Sequence, residues 1–215
     1  MIDQLEMSIA SLVADICKQH QNFSEYFYQL DFLRNYQLRN LNKISVSTAL
    51  QDDFFIQKFL PEYHKELLKF GLDEYLFELN LRLRQLNLGT IRSRAKDPET
   101  IIKKMQQYAA REQKIHGLPI SKCLNDLQGM RLIAPNVNNN WPNIDKLLQS
   151  CHDKKQIKRF YYRDQDNYKS FQCYIQCDNK YLPWELQIWD SADELTNNLA
   201  HVKHEQLREY DRRGI

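Results

Sequence analysis

The stretch YLPWELQIWD, residues 181–190, constrains the fold more than any other part of the chain. Leu182, Trp184, Leu186 and Ile188 alternate with Pro183, Glu185, Gln187 and Trp189, the period of a β-strand with two unlike faces. One face is apolar throughout and demands a covered core. The other holds a carboxylate and an amide two residues apart, with aromatic bulk on either side. A carboxylate in the middle of an apolar strand is costly unless it is paired or metal-bound.

The surrounding segments say what such a strand can pair with. Residues 1–20 place Leu5, Ile9, Leu12, Val13 and Ile16 at helical spacing, and FSEYFYQLDFLRNYQLRNL fits a second, aromatic-rich helix. Residues 53–70 and 72–87 predict helices split at Gly71, the latter with Tyr75, Leu79 and Leu83 inward and Arg82 and Arg84 outward. Residues 1–88 are thus expected to form a helical N-terminal portion and residues 89–215 a separate α/β domain. In the latter, GTIRSRAK predicts a strand, and Asp97, Pro98 and Glu99 mark a helix start as N-cap, first position and first-turn acid. GMRLIAP predicts a strand ending at Pro135, and WPNIDKLLQSC a helix. KKQIKRFYYRDQDNY reads as a basic loop. SFQCYIQC and KYLPWELQIW form a hairpin turning at Asp178-Asn179, and a closing helix follows with Asp190 as its cap. The fold class is α/β (α+β): a mixed sheet of about five strands flanked by helices.

Composition excludes several functions. Hydrophobic residues at 42% and charged residues at 27% are those of a globular protein, and a net charge of +2 is too small for a generic nucleic-acid binder. Gly71, Gly89, Gly117, Gly129 and Gly214 lie too far apart for a P-loop or a dinucleotide-binding turn. Any phosphates must therefore be held by side chains. Asp3, Glu6 and Asp15 interrupt the N-terminal apolar positions, ruling against a signal peptide, and no apolar run approaches a membrane span. A cytoplasmic protein is expected. Five scattered cysteines without a C-x-x-C pair read as free thiols in a reducing compartment.

Four polar features need a reason. Arg94 and Lys96 lie two apart on a predicted strand as a cationic pair. Asp126 just precedes the strand of Arg131, Glu185 sits mid-strand beside Gln187, and Tyr168 follows the basic loop. Two carboxylates and a ring of cations around a Mg²⁺-bound triphosphate satisfy all four, since a Mg²⁺ nucleotide usually meets the protein through one or two carboxylates.

Here the chain resembles the synthetase domain of the RelA/SpoT family, which includes the small alarmone synthetases. RAKDPETIIKKM is similar to the family's R-x-K-x-x-x-S-I-x-x-K, with Thr100 in the serine slot and Lys104 as the last lysine. DLQGMR resembles D-I-x-G-I-R, NYKSF resembles G-Y-x-S-x-H, ELQIW resembles E-x-Q-x-R, and AHVKHE stands where A-H-x-x-Y-K would. The resemblance implies a nucleotidyltransferase-like core and transfer of the β,γ-diphosphate of ATP to the 3′-hydroxyl of GDP or GTP. It also implies roles: Arg94 and Arg131 sandwich adenine, Thr100, Lys96 and Lys104 belong to the ATP side, and Asp126 binds Mg²⁺. Glu185 orients or deprotonates the 3′-hydroxyl and touches the metal. Tyr168 stacks on the acceptor base, with Lys169, Gln172, Gln187 and His201 on the acceptor side.

The departures fall on the acceptor side. Gln172 replaces a histidine, Asn167 a glycine, and Trp189 an arginine, while RDQDN lacks a lysine for which Arg163 or Lys169 could substitute. Some toxic members, usually neutralised by an antitoxin, share PWELQIW and pyrophosphorylate the 3′ end of tRNA. Lys154, Lys155, Lys158, Arg159 and Arg163 would be the RNA surface in that case. A catalytically silent interaction module is the third reading, opposed by the retention of Arg94, Lys96, Asp126 and Glu185 together. His201 and His204 are spaced for a metal but lack a third ligand, and His152-Asp153 is read as chance.

Overall fold

The computed structural model describes residues 4–34, 36, 41–112, 117–200 and 202–203. Helix α1 (Gln4–Tyr28) is continuous, so the two N-terminal helices expected from sequence are one element as far as Tyr28. Its stripe of Leu5, Ile9, Leu12, Val13, Ile16, Phe23 and Phe27 is buried along its whole length. After a 3-10 turn (Asp31–Leu33) come α2 (Val46–Leu50), a π-turn (Phe55–Phe59), α3 (Leu60–Lys69) and α4 (Leu72–Gln85). Gly71 separates the last two with φ 76°.

The remainder alternates: β1 (Thr90–Ala95), α5 (Pro98–Glu112), α6 (Ile120–Cys123), β2 (Gln128–Ala134), α7 (Trp141–Asp153), β3 (Arg159–Gln165), β4 (Tyr168–Ile175) and β5 (Trp184–Asp190). The five strands make one mixed sheet in the order β1-β2-β5-β4-β3, with only β2 and β5 parallel. Asp97 caps α5 through the Thr100 amide at 2.9 Å, and Asp190 caps the turn Ser191–Asp193 through the Ala192 amide at 2.8 Å. Residues 194–200 are helical.

Register explains the two-faced strand. Met130, Leu132, Leu186, Ile188, Phe171 and Cys173 meet as cross-strand neighbours on one face and are buried. Trp184 extends this face into the helical layer: its ring lies 5.8 Å from that of Phe23, and its indole N–H donates to Tyr63 Oη at 3.1 Å. One apolar cluster therefore runs from α1 and α3 through the sheet to α7. Truncating a buried aromatic this large to alanine typically costs about 3–5 kcal/mol.

Two expectations need correction. The Asp178-Asn179 doublet is not a tight hairpin turn, because β4 ends at Ile175 and β5 begins at Trp184. The intervening segment packs on α1 instead: His20 Nε2 lies 2.9 Å from the Leu182 carbonyl, and the Tyr28 and Tyr181 rings are 4.9 Å apart. The tight hairpin is at the other such doublet, Asp166-Asn167, where φ values of 55° and 61° make a primed turn between β3 and β4. The middle of the expected basic loop, Arg159–Gln165, is therefore the edge strand β3.

At the opposite edge, Asn80 of α4 bonds both backbone groups of Ile91 at 2.6 Å and so occupies part of the outer side of β1. Gly89 leads into that strand with φ 115°, and a Cβ there would lie 2.1 Å from the Ile133 carbonyl oxygen. Only glycine fits. Among the described residues, no helix is long and apolar enough to cross a membrane.

Candidate active site

The face of the sheet turned away from the core is polar from edge to edge. One row of cross-strand neighbours is Arg94, Gly129, Glu185, Tyr174 and Arg159; the next is Arg92, Arg131, Gln187, Gln172 and Tyr161. Glu185 lies on the middle strand of the five. A cleft of about 810 Å³ over this face is lined by Arg94, Lys96, Thr100, Lys104, Asp126, Arg159, Arg163, Tyr168, Gln172, Tyr174, Glu185 and Gln187. It continues into a hollow of about 390 Å³ bounded by Arg92, Arg94, Arg131, Asp126, Glu185 and Asn198.

Asp126 organises the first side. Lys96 Nζ lies 2.5 Å from Oδ2 and Lys104 Nζ 2.7 Å from Oδ1. The Asp126 side chain is 24% exposed and those of Lys96 and Lys104 9% and 16%, so the group is only partly hydrated. Burial alone would raise the Asp126 carboxyl, but the two ammonium groups outweigh it and hold the carboxyl below its ordinary value. Burial also draws Lys96 down, opposed by Asp126. Thr100, one turn before Lys104 on α5, donates its hydroxyl to Asp97 at 2.6 Å.

Glu185 behaves in the opposite sense. Burial raises its carboxyl, and the Asp126 charge raises it further, while Tyr174, Gln187 and Lys104 pull the other way. Gln187 Nε2 donates to Glu185 Oε2 at 2.9 Å. Gln187 Oε1 in turn accepts from Arg131 Nε and from Tyr168 Oη, each at 3.2 Å. The amide thus fixes one oxygen of the carboxylate, and the Tyr174 hydroxyl also hydrogen-bonds the group. Two carboxylates sharing one cleft, each raising the other's cost of ionisation, form a donor set that suits a hard divalent cation.

Arg131 is held face-on against the Trp189 ring, with Cζ 3.6 Å from the centroid. Arg131 also lines the smaller hollow. Trp189 is fully buried and donates through Nε1 to Tyr168 Oη at 3.2 Å.

The acceptor-side expectations are redistributed. Tyr168 is present, but its ring is 5% exposed, set edge-on to Trp189 and covered by the Arg163 guanidinium at 5.1 Å. In this arrangement it is a packed aromatic and a hydrogen-bond hub rather than an open platform. Gln172 is buried, bonded to Tyr168 Oη at 3.1 Å and to Ser170 Oγ at 2.5 Å. Lys169 lies on the other face of β4 and pairs with Asp164 at 3.9 Å, away from the cleft. Of the five basic-loop residues only Arg159 and Arg163 line the cleft. Lys154 and Lys155 stand at the end of α7, and Lys158 Nζ donates to Asn179 Oδ1 at 3.1 Å. His201, with His204 and Glu205 of the final block, lies outside the described residues.

Sequence reasoning passed over Arg92, Tyr161 and Tyr174. Arg92 shares the strand parity of Arg94, and Tyr174 continues the alternation of Tyr168, Ser170 and Gln172. That signal was present. Tyr161 required β3 to be recognised as a strand.

Solved structures of similar fold include small alarmone synthetase 2 from Bacillus subtilis, with 19% identity and TM-score 0.40 over 71% of this chain and 82% of that one. A GTP pyrophosphokinase family protein from Streptococcus pneumoniae shows 19% identity and TM-score 0.40 over 68% and 78% of the respective chains. Small alarmone synthetase 1 from Bacillus subtilis bound to its product pppGpp shows 18% identity and TM-score 0.36 over 68% and 82%. No curated protein sequence matches the chain. The model of the region found in RelA / SpoT proteins matches residues 93–208, just over half of the chain and the whole of the cleft-bearing sheet but for the first strand's opening residues. With that match, the chain belongs to the RelA/SpoT family and is a pyrophosphotransferase of that class.

Proposed function

We propose that the chain moves the β,γ-diphosphate of ATP to the 3′-hydroxyl of a guanosine nucleotide, GDP or GTP. The observation that supports this most is the position of Glu185: on the central strand, with a raised carboxyl, between two cationic wings. On the donor wing, adenine lies between Arg94 and Arg131, and the triphosphate runs toward Lys96 and Lys104. These lysines exchange Asp126 for phosphate oxygens, which leaves Asp126 and Glu185 to hold Mg²⁺. Mg²⁺ held there would supply charge neutralisation on the diphosphate, which favours in-line displacement. Glu185 faces the attacking hydroxyl and takes its proton, with Gln187 holding one oxygen. The new bond joins the 3′-oxygen to the β-phosphorus as the bond to the α-phosphate oxygen breaks and AMP leaves. On the acceptor wing, Arg159 and Arg163 replace the family lysine as phosphate ligands, beside Tyr161 and Tyr174.

A second reading takes the 3′ end of tRNA as acceptor, with an antitoxin as protein partner. One observation favours it: Arg159, Tyr161 and Arg163 alternate along an edge strand, cations interleaved with an aromatic ring that is 41% exposed. The surface is smaller than sequence suggests, because Lys154, Lys155 and Lys158 do not join it.

Incubation with γ-labelled ATP and Mg²⁺, offering GDP, GTP, GMP and deacylated tRNA in parallel, separates the readings. Label on GDP or GTP is expected. Label on RNA alone, weakening steeply with salt, establishes the second reading instead. Label on none of them refutes both acceptor readings.

A further inference from the structure

We propose that Cys17 and Cys177 form a reactive thiol pair that a low-molecular-weight disulfide oxidises to an intramolecular disulfide, tying α1 to the segment leading into β5. The two residues are 160 apart in sequence, yet their sulfurs lie 3.9 Å from each other. Closing the bond requires an approach of roughly 2 Å. Cys177 is exposed and Cys17 half-buried, whereas Cys123, Cys151 and Cys173 are buried. Burial pushes the thiols of Cys151 and Cys173 up, away from the reactive thiolate form.

The pair is ordered for sequential chemistry. The Cys177 thiol, hydrogen-bonded to Cys17, lowers the Cys17 thiol to about 7 against the opposing effect of burial. Cys177 itself is raised by the same hydrogen bond and by burial, which makes it the second to react. His20 lies beside it. The Nε2 of His20 faces the Leu182 carbonyl at 2.9 Å and therefore carries the proton, so the unprotonated Nδ1, 3.3 Å from Cys177 Sγ, is the alternative acceptor for the one S–H whenever that is not given to Cys17.

The Cys17 thiolate attacks one sulfur of the external disulfide RSSR, forming a mixed disulfide and expelling RS⁻. Cys177 loses its proton to water at its exposed side, attacks the Cys17 sulfur and expels the second RS⁻. Two protein thiols are oxidised and one RSSR is reduced to two RSH.

The full chain is treated with glutathione disulfide under nitrogen, denatured, and its thiols counted. Two of the five are expected to disappear, with one disulfide-linked peptide, seen under non-reducing conditions, joining the segments of Cys17 and Cys177, and dithiothreitol restoring both. The thermal midpoint should rise by roughly 5–15 °C, because the bridge closes a long loop. Cys177→Ser should stop at a glutathione adduct on Cys17, and Cys17→Ser should block bridging. A bridge that includes Cys123, Cys151 or Cys173 overturns the proposal. So does a lasting glutathione adduct on the unaltered chain, or no loss of thiols under conditions that oxidise dithiothreitol.

Discussion

His20 should make stability depend on pH between about 4 and 6.5. The ring is fully buried on α1, edge-on to Trp184 at 5.2 Å, bonded to the Leu182 carbonyl and facing the Cys177 sulfur. Burial lowers its protonation from 6.5 to about 4, only partly offset by the Leu182 carbonyl. Below pH 6.5 the unfolded chain takes up a proton that the folded chain refuses, so the contribution is complete above 6.5 and is lost as pH falls toward 4. At roughly 1.4 kcal/mol per pH unit, that interval corresponds to about 3 kcal/mol. Folded domains are stable by only about 5–15 kcal/mol, so the loss is readily measured. Urea unfolding in reductant from about pH 7.5 to 4.5 would compare the chain with His20→Gln, which can still donate to Leu182 but cannot charge. The variant should begin less stable and depend less on pH, the gap closing by most of about 3 kcal/mol. Carboxylates common to both cancel in the difference. A gap that stays constant across the range would refute the reasoning, since it would mean that His20 titrates alike in both states.

Three further outcomes follow from the site and its frame. Glu185→Gln should retain fold and binding of a nonhydrolysable ATP analogue but lose turnover by roughly 10²–10⁴-fold, measured by label transfer; near-normal turnover removes Glu185 from the mechanism. Asp126→Asn should destabilise the nucleotide-free chain by roughly 2–4 kcal/mol in urea unfolding, because Lys96 and Lys104 would be left unpaired at 9% and 16% exposure; no change would show that the lysines reach water freely. Gly89→Ala should cost more than about 3 kcal/mol by the same assay, through the clash with the Ile133 carbonyl and the positive φ.

The fold was legible where two physical signals agreed. The strands β1, β2 and β5 combine alternation with bounding breakers, and the caps of Asp97 and Asp190 mark real starts. β3 was misread because charge density and strand period conflict: Arg159, Arg163 and Asp164 resemble a solvated loop. An edge strand tolerates just such residues, since one side of its ladder is unpaired. The turn was misplaced because Asp-Asn occurs twice, and each doublet satisfies the local chemistry equally. What separates them is tertiary: Tyr181 and Leu182 are drawn onto α1, which lengthens the second connection into a packed segment.

In the site, strand parity is a strong guide to which face a residue takes and a poor one to what leans on it there. Parity places Glu185, Gln187 and Arg131 together on the open face, and the structure agrees. It also places Tyr168 there, but cannot foresee that Arg163, paired with Ser170 across the hairpin, would lie over the ring. The same limit hides the Asp126 clamp, whose lysines are 30 and 22 residues away on the end of β1 and on α5. Position 189 shows what this means for function. Replacing the family arginine with Trp189 removes a cation from the strand, yet the indole face fixes the guanidinium of Arg131 on the neighbouring one. The departure exchanges a charge for the orientation of another. Under the proposed function the donor wing would thereby keep its stacking cation while the acceptor wing would depend on Arg159 and Arg163, which puts the choice of acceptor on the half of the sheet where sequence resemblance is weakest.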